Sequence, residues 1–267
     1  MSPPDQLAQL KTTPYADVAA GAWSVPYIEA ARQMQIVDGP PKTNTFNGGR
    51  RVMKVEFLKI LLLAYKVDAN ANADVRLPLA SDVQNPDEWY YPYMRAAVNQ
   101  SMDMVTTDGL LQPARELSRA DVSLLLYHFL MYRDGRRTQA LLSEAETEII
   151  NILTLLEKND IAQAEYASAR ALLAARGAAA LRAQDSLVQG ALKTTQSFRA
   201  LVRAYRAGVD GNLDEVIRLC GEAWTLAGES TNIHSGLSTV TDQVQVIAKN
   251  MADSARQLKS GGAASSK

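Results

Sequence analysis

Apolar residues recur at helical spacing through the second half of the chain, and this pattern predicts a run of amphipathic helices. From about Thr138 to Lys259 the apolar stripes are separated by short polar turns or by glycine, and no proline interrupts them. Short connections favour antiparallel neighbours, so we expect a helical bundle or a short array of helical hairpins. The predicted helices cover residues 141–156, 161–176 with a break near Gly177, 188–205, 213–226 and 237–258.

The first half is divided into shorter elements. All ten prolines of the chain lie at or before Pro113, and proline interrupts helix interiors. Ser118 is the predicted N-cap of one helix, with Asp121 completing a capping box. An earlier segment, about residues 55–65, is apolar on nearly all sides and is expected to be the most buried helix of this half. The fold class predicted for the whole chain is therefore all-α.

One ordered set of residues occurs twice in this first half, about 65 positions apart. The set is an Asp-Val pair, a tryptophan, a Pro-Tyr helix start, a glycine-containing turn and a polar entry into an apolar helix. A fixed period with matched order marks duplicated units that share a core. The copies are Asp17-Val18, Trp23, Pro26-Tyr27, Asp38-Gly39 and Met53-Lys54-Val55-Glu56, then Asp82-Val83, Trp89, Pro92-Tyr93, Asp108-Gly109 and Ser118-Arg119-Ala120-Asp121.

This order resembles the S-layer homology domain, over about residues 15–132, with units at about 15–66 and 80–132. The resemblance implies a helical module that attaches to a cell-wall polysaccharide or peptidoglycan-associated polymer, and a location at the cell surface or envelope. It also implies the candidate ligand-binding residues. They are Arg119 in the closing motif, its counterpart Lys54, and the tryptophans Trp89 and Trp23. The guanidinium of arginine suits carboxylate or phosphate better than an ammonium does.

A structural role competes with ligand binding for each of these residues. Arg119 is also interpreted as an ionic bridge between the units, and Trp23 and Trp89 as buried core aromatics. The resemblance further implies three units around a pseudo-threefold axis, whereas two are visible. Three alternatives stay open: a third unit too diverged to recognise, closure of the open side by the helical half, or a unit supplied by another chain.

The composition limits which ligands, metals and enzyme activities are expected for this chain. The net charge of −1 gives no electrostatic footprint for nucleic acid, and no apolar run is long enough for a transmembrane segment. The single Cys220 excludes an internal disulfide and a cysteine-based zinc site, and we expect it in the core. No phosphate loop or metal-ligand motif occurs, so no cofactor, no metal and no enzyme activity are predicted. His128 is interpreted as structural, and Glu144, Glu146 and Glu148 as favouring a helix dipole.

The charged, glycine-containing stretch 133–137 divides the chain, and we expect two separable domains with a boundary between Arg133 and Ala140. The predicted organisation is an extension at 1–14, the two units within 15–132, a helical domain at 138–259 and a disordered tail at 260–267. No secretory signal is visible, so an exported protein is expected to be present here as its mature form, or as a form with an initiating Met.

Two functions are compatible with this organisation. In the first, a non-enzymatic cell-envelope protein attaches to wall polymer or to a surface-layer subunit, and its helical half serves assembly, partner binding or homo-oligomerisation. In the second, the chain is a helical adaptor or scaffold that binds no glycan.

Overall fold

The computed structural model describes residues 7, 9–39 and 43–264, and the side chains as far as residue 260. Over these ranges the chain is all-α, as predicted, and its only β pairings are the isolated bridges Met53–Glu116 and Ala80–Val83. A 3₁₀ turn, Ser235–Leu237, precedes the last helix. The helices are α1 Val25–Gln33, α2 Lys54–Ala64, α3 Tyr91–Asn99, α4 Arg119–Arg133, α5 Thr138–Glu157, α6 Ile161–Leu181, α7 Ser186–Val209, α8 Leu213–Ile233 and α9 Ser238–Ala264.

The start of α4 has the predicted capping box. The hydroxyl of Ser118 accepts a hydrogen bond from the Asp121 backbone N–H at 3.2 Å, and the Asp121 carboxylate accepts one from the Ser118 N–H at 2.8 Å. At the start of α2 the carboxylate of Glu56 accepts from the Met53 N–H at 2.9 Å. Both helices therefore satisfy a free N-terminal donor with an acidic residue in the first turn.

Helix α3 is the most buried helix of the first half, which corrects the prediction for α2. Seven of its nine residues are buried, compared with five of the eleven in α2. The physical reason is its position, because α3 packs against α2 on one side and against α6 of the helical half on another.

The predicted break at Gly177 is wrong, because α6 continues through it to Leu181. A Cβ atom at Gly177 would lie 1.9 Å from the backbone oxygen of Asn99. The glycine therefore lets α6 approach the end of α3, where the side-chain amide of Asn99 donates to the Leu173 carbonyl at 2.8 Å. Close tertiary approach, rather than a helix end, explains this residue.

The two halves share one hydrophobic core across the predicted boundary. Ala169, Leu172 and Leu173 of α6 belong to the same buried cluster as residues of α2, α3 and α4. In addition, the guanidinium of Arg170 donates to the Leu79 carbonyl at 2.6 Å. This shared core corrects the expectation of separable domains with a boundary at 133–140. It also shows that the helical half covers one side of the second unit.

The helical half is a bundle in which each helix packs against the next, from α5 to α9. Cys220 lies in its core as predicted, and burial raises the pKa of the thiol to about 11. Helix α9 extends to Ala264, so residues 260–264 of the predicted disordered tail are helical, and residues 265–267 lie outside the described ranges. Among the helices described here, none is long and apolar enough to cross a membrane.

The contact at Gly177 leads to a prediction with a matched control. Gly177→Ala places a methyl group against backbone, and we expect it to lower the free energy of unfolding by about 1–3 kcal/mol. Gly221→Ala, in α8 with no atom within 4 Å of the added methyl, should raise it by up to about 1 kcal/mol. Urea unfolding followed by circular dichroism measures both values. Equal effects of the two substitutions would contradict the close approach of α6 to α3.

Candidate binding site on the repeat units

The aspartate of each Asp-Val pair holds the loop before the closing helix of its own unit. Its carboxylate accepts hydrogen bonds from two consecutive backbone N–H groups, 29 and 30 residues further along the chain. These bonds fix where α2 and α4 begin relative to the rest of each unit. They join Asp17 to Phe46 and Asn47 at 2.6 and 2.7 Å, and Asp82 to Leu111 and Gln112 at 3.0 and 2.6 Å.

The starts of the two closing helices share a second polar contact. Arg50 pairs with Glu56 at 2.6 Å, and Arg115 pairs with Asp121 at 2.9 Å, six positions apart in both cases. The Arg115 guanidinium and the donors of Ser118 hold the pKa of the Asp121 carboxyl well below its usual range. The Asp121 carboxylate is thus already paired with Arg115 and Ser118. The guanidinium of Arg119 is therefore not needed to neutralise it.

Lys54 does not face solvent, which corrects its prediction as a ligand-binding residue. It is 4% exposed, and its ammonium donates to both carboxylate oxygens of Asp103, at 3.0 and 2.9 Å, and to the Leu111 carbonyl at 2.7 Å. Asp103 and Leu111 both belong to the second unit. Lys54 is therefore the ionic bridge between the units, the alternative role that the sequence suggests for Arg119.

Arg119 lies 65 positions after Lys54, at the same place on its own helix, but it is exposed. Within the described residues its side chain has no hydrogen-bond or ion-pair partner, and its backbone carbonyl accepts from the Ser123 hydroxyl at 2.9 Å. A position that binds a carboxylate in the first unit is thus open in the second.

The two tryptophans are exposed, so their interpretation as buried core aromatics is wrong. Trp23 is 85% exposed and Trp89 is 52% exposed. The aromatic that fills the core of the second unit is Tyr91, whose hydroxyl donates to the Val75 and Leu77 carbonyls at 3.1 and 2.6 Å. Burial raises the pKa of Tyr91 to about 12.

Trp23 and Tyr27 together form what we call the aromatic platform. Their ring centroids lie 6.2 Å apart, and Tyr27 is 60% exposed. An open depression of about 530 Å³ adjoins the platform and is also lined by Asp17 and Phe46. In the second unit the corresponding Trp89 is partly covered, because the ammonium of Lys59 lies 5.8 Å from its ring centroid.

A buried carboxyl group near the junction of the halves was missed from the sequence. Glu144 is 8% exposed, and one of its carboxyl oxygens has no hydrogen-bond partner among the described residues. Its neighbour Glu148 is paired with Arg170 at 2.6 Å, and Arg137 is bonded to Ser101 at 2.6 Å. Burial, and then the charge of Glu148, raise the pKa of Glu144 to about 8.

The sequence held a signal for this group. Glu144 and Glu148 are spaced three and seven positions after Leu141, which places them on the apolar stripe of α5. Helix α5 begins at Thr138, so a favourable interaction with the helix dipole does not explain these two residues. Glu146, between them, is exposed.

His128 is half-buried, and its Nδ1 atom lies 3.3 Å from the carbonyl oxygen of Met102, in keeping with a structural role. In the part of the chain that the structure describes, no group of three or more His, Cys, Asp or Glu side chains could hold a metal ion.

Comparison with protein-family models, with curated proteins and with solved structures finds no match to this chain.

The buried Glu144 predicts a specific pH dependence of stability. Its carboxyl pKa is about 8 in the folded protein and 4.5 in the ordinary reference, so the folded state binds the proton more tightly. The stabilisation that comes from tighter proton binding at Glu144 is complete below about pH 4.5 and is lost as the pH rises through about 8. We expect Glu144→Gln to reduce the fall in unfolding free energy between pH 5 and pH 9.

The matched control is Glu146→Gln, at an exposed position on the same helix. It should leave the pH dependence as it is in the wild type. Denaturant unfolding at several pH values measures all three proteins. If Glu144→Gln retains the wild-type dependence, the carboxyl group of Glu144 is already ionised in the folded protein at neutral pH.

Proposed function

We propose that this protein is a non-enzymatic component of the cell envelope. In this proposal the two units attach to an anionic cell-wall polymer or to a surface-layer subunit, and the helical half serves assembly or partner binding. The single observation that carries the proposal is the contrast between Lys54, which is buried on a carboxylate, and the exposed Arg119 at the corresponding position.

The bonds of Lys54 indicate which ligand chemistry suits this position. In the first unit the cation binds two carboxylate oxygens and one carbonyl oxygen. Arginine at the same place in the second unit offers a planar fork of donors, which matches a carboxylate or phosphate in two-pronged geometry. The start of a helix also favours negative charge nearby. An acidic polymer with carboxylate or phosphate groups satisfies both features.

A helical adaptor that binds no glycan is the second candidate. It is favoured by the exposed apolar side chains of α4, where Leu124 is 54% exposed and Tyr127 is 56% exposed. Such side chains in a group are more typical of a protein-binding surface than of a solvated helix face. The two candidates differ in whether Arg119 is needed for retention on wall material.

Sedimentation with purified cell walls tests the proposal. We expect the wild type to sediment with the walls and Arg119→Ala to bind about tenfold more weakly or worse, since a charge-assisted hydrogen bond contributes about 1.5–3 kcal/mol. Arg119→Lys should be intermediate, because an ammonium lacks the fork. Raised salt should weaken wild-type binding. The thermal midpoint of Arg119→Ala should stay close to that of the wild type because the side chain is exposed.

Arg136→Ala is the matched control. Arg136 is an exposed arginine in the turn between α4 and α5, and its loss removes the same charge. It should keep wild-type sedimentation. If Arg119→Ala binds walls as well as Arg136→Ala does, or if the wild type does not sediment at all, the adaptor becomes the better account. Lys54→Ala is unsuitable as a control because it would leave Asp103 buried without its cation.

A further inference from the structure

One face of α4 is exposed although the corresponding face of α2 is buried. We call it the α4 face, and it consists of Arg119, Ser123, Leu124 and Tyr127, all exposed. Three of these residues lie 65 positions after Lys54, Leu58 and Leu62, which are 4%, 0% and 0% exposed. The difference follows from neighbours, because α2 has the second unit against this face and α4 has no following unit among the described residues.

The contacts of α2 show what covers such a face. Leu58 and Leu62 share a buried cluster with Met94 of the second unit, and the Lys54 ammonium lies on Asp103. The interface between the units thus combines apolar helix packing with one buried ion pair. It supplies a template, within this chain, for the partner that the α4 face fits.

The aromatic platform is the other half of the same template. Trp23 and Tyr27 lie 66 positions before Trp89 and Tyr93 of the second unit. In the second unit Lys59 of α2 lies over the Trp89 ring, and Tyr93 packs against the same cluster as α2. In the first unit the ring of Trp23 has no such cover from the described residues and is 85% exposed. An exposed tryptophan and tyrosine side by side are unusual for a surface without a partner.

We propose that the aromatic platform of one molecule binds the α4 face of a second copy of this chain. Both complementary halves of the interface between the units are exposed on the same molecule, which is the requirement for head-to-tail association. The association is heterologous, since a dimer formed in this way keeps a free platform on one copy and a free α4 face on the other. It therefore continues beyond the dimer or closes into a ring.

The side chains at these positions suit this pairing. Leu124 takes the place that Lys59 has over Trp89, so an apolar residue would meet the exposed Trp23 ring of the second copy. Val37 has the same backbone bond as Asp103, the partner of Lys54, so the first unit carries an apolar residue where the second carries that carboxylate. The pairing therefore rests on apolar packing and leaves the Arg119 guanidinium without this carboxylate partner.

This inference goes beyond attachment to the wall, and it is tested with the full chain in solution without wall material. Analytical ultracentrifugation of the wild type over a range of concentrations should give a mass that rises above that of the dimer or reaches a closed ring. Tyr127→Asp damages only the α4 face, and Trp23→Ala only the platform. Each variant alone should dissociate at least about tenfold more readily than the wild type. Both side chains are more than half exposed, so both variants should fold.

A mixture of the two variants tests whether the platform and the α4 face bind each other. Trp23→Ala keeps an intact α4 face and Tyr127→Asp keeps an intact platform, and these two surfaces can bind each other. An equimolar mixture should therefore form a dimer and nothing larger. Val246→Asp, at a 59% exposed position of α9, is the control and should associate like the wild type. A wild type that is monomeric throughout overturns the proposal. So does a mixture that stays monomeric, or a loss of association in Val246→Asp. The test of wall binding is scored separately on Arg119→Ala, since all three variants used for association leave Arg119 unchanged.

Discussion

The arrangement of the two units depends on the buried ammonium of Lys54. It lies on the carboxylate of Asp103 and the carbonyl of Leu111, and so joins the start of α2 to the second unit. Removing one partner of a buried ion pair typically costs about 3–5 kcal/mol, because the other charge is left without compensation. The pair is also directional, since it forms only with α2 in one orientation. It therefore determines which face of α2 is covered, and by repetition which face of α4 is left open.

The helical half supports this arrangement from the opposite side. Helix α3 lies between α2 and α6, and the contact with α6 is close enough to require glycine at position 177. Arg170 reinforces it by bonding to both Glu148 and the Leu79 carbonyl. The second unit is thus held on two sides, and the exposed start of α4 projects from a rigid scaffold. A rigid scaffold is what Arg119 needs for a defined geometry if it binds an anion as proposed.

Features set by local interactions were predictable from the sequence. The capping box at Ser118, the turns of the bundle and the buried Cys220 follow from neighbouring residues and helical spacing. The polar network of the units was visible only as a repeated order of residues. Its meaning, with aspartates holding loops 29 and 30 residues away, required the structure.

Features set by distant neighbours were not predictable. The exposure of Trp23 depends on the lack of a preceding unit in the described chain, and no local pattern encodes this. Lys54 and Arg119 occupy corresponding sites, yet one is a buried bridge and the other is open, because among the described residues a second unit packs against Lys54 and none packs against Arg119. A glycine such as Gly177 is typical of a helix end, which is why a break is predicted there. The close approach of the Asn99 carbonyl of α3 is the actual reason for this glycine. In each case tertiary packing overrides the local pattern.

The Lys54 position is filled within the chain by Asp103, and we propose that the corresponding position of Arg119 is open to an external anion. Covalent labelling of the native protein, analysed by mass spectrometry, distinguishes the two positions. An amine reagent should label the exposed Lys158 and leave Lys54 unmodified. A dicarbonyl reagent specific for arginine should label Arg119, and added cell-wall polymer should protect Arg119 but not Arg136. Labelling of Lys54 at the rate of Lys158, or equal labelling of Arg119 with and without polymer, would contradict the account.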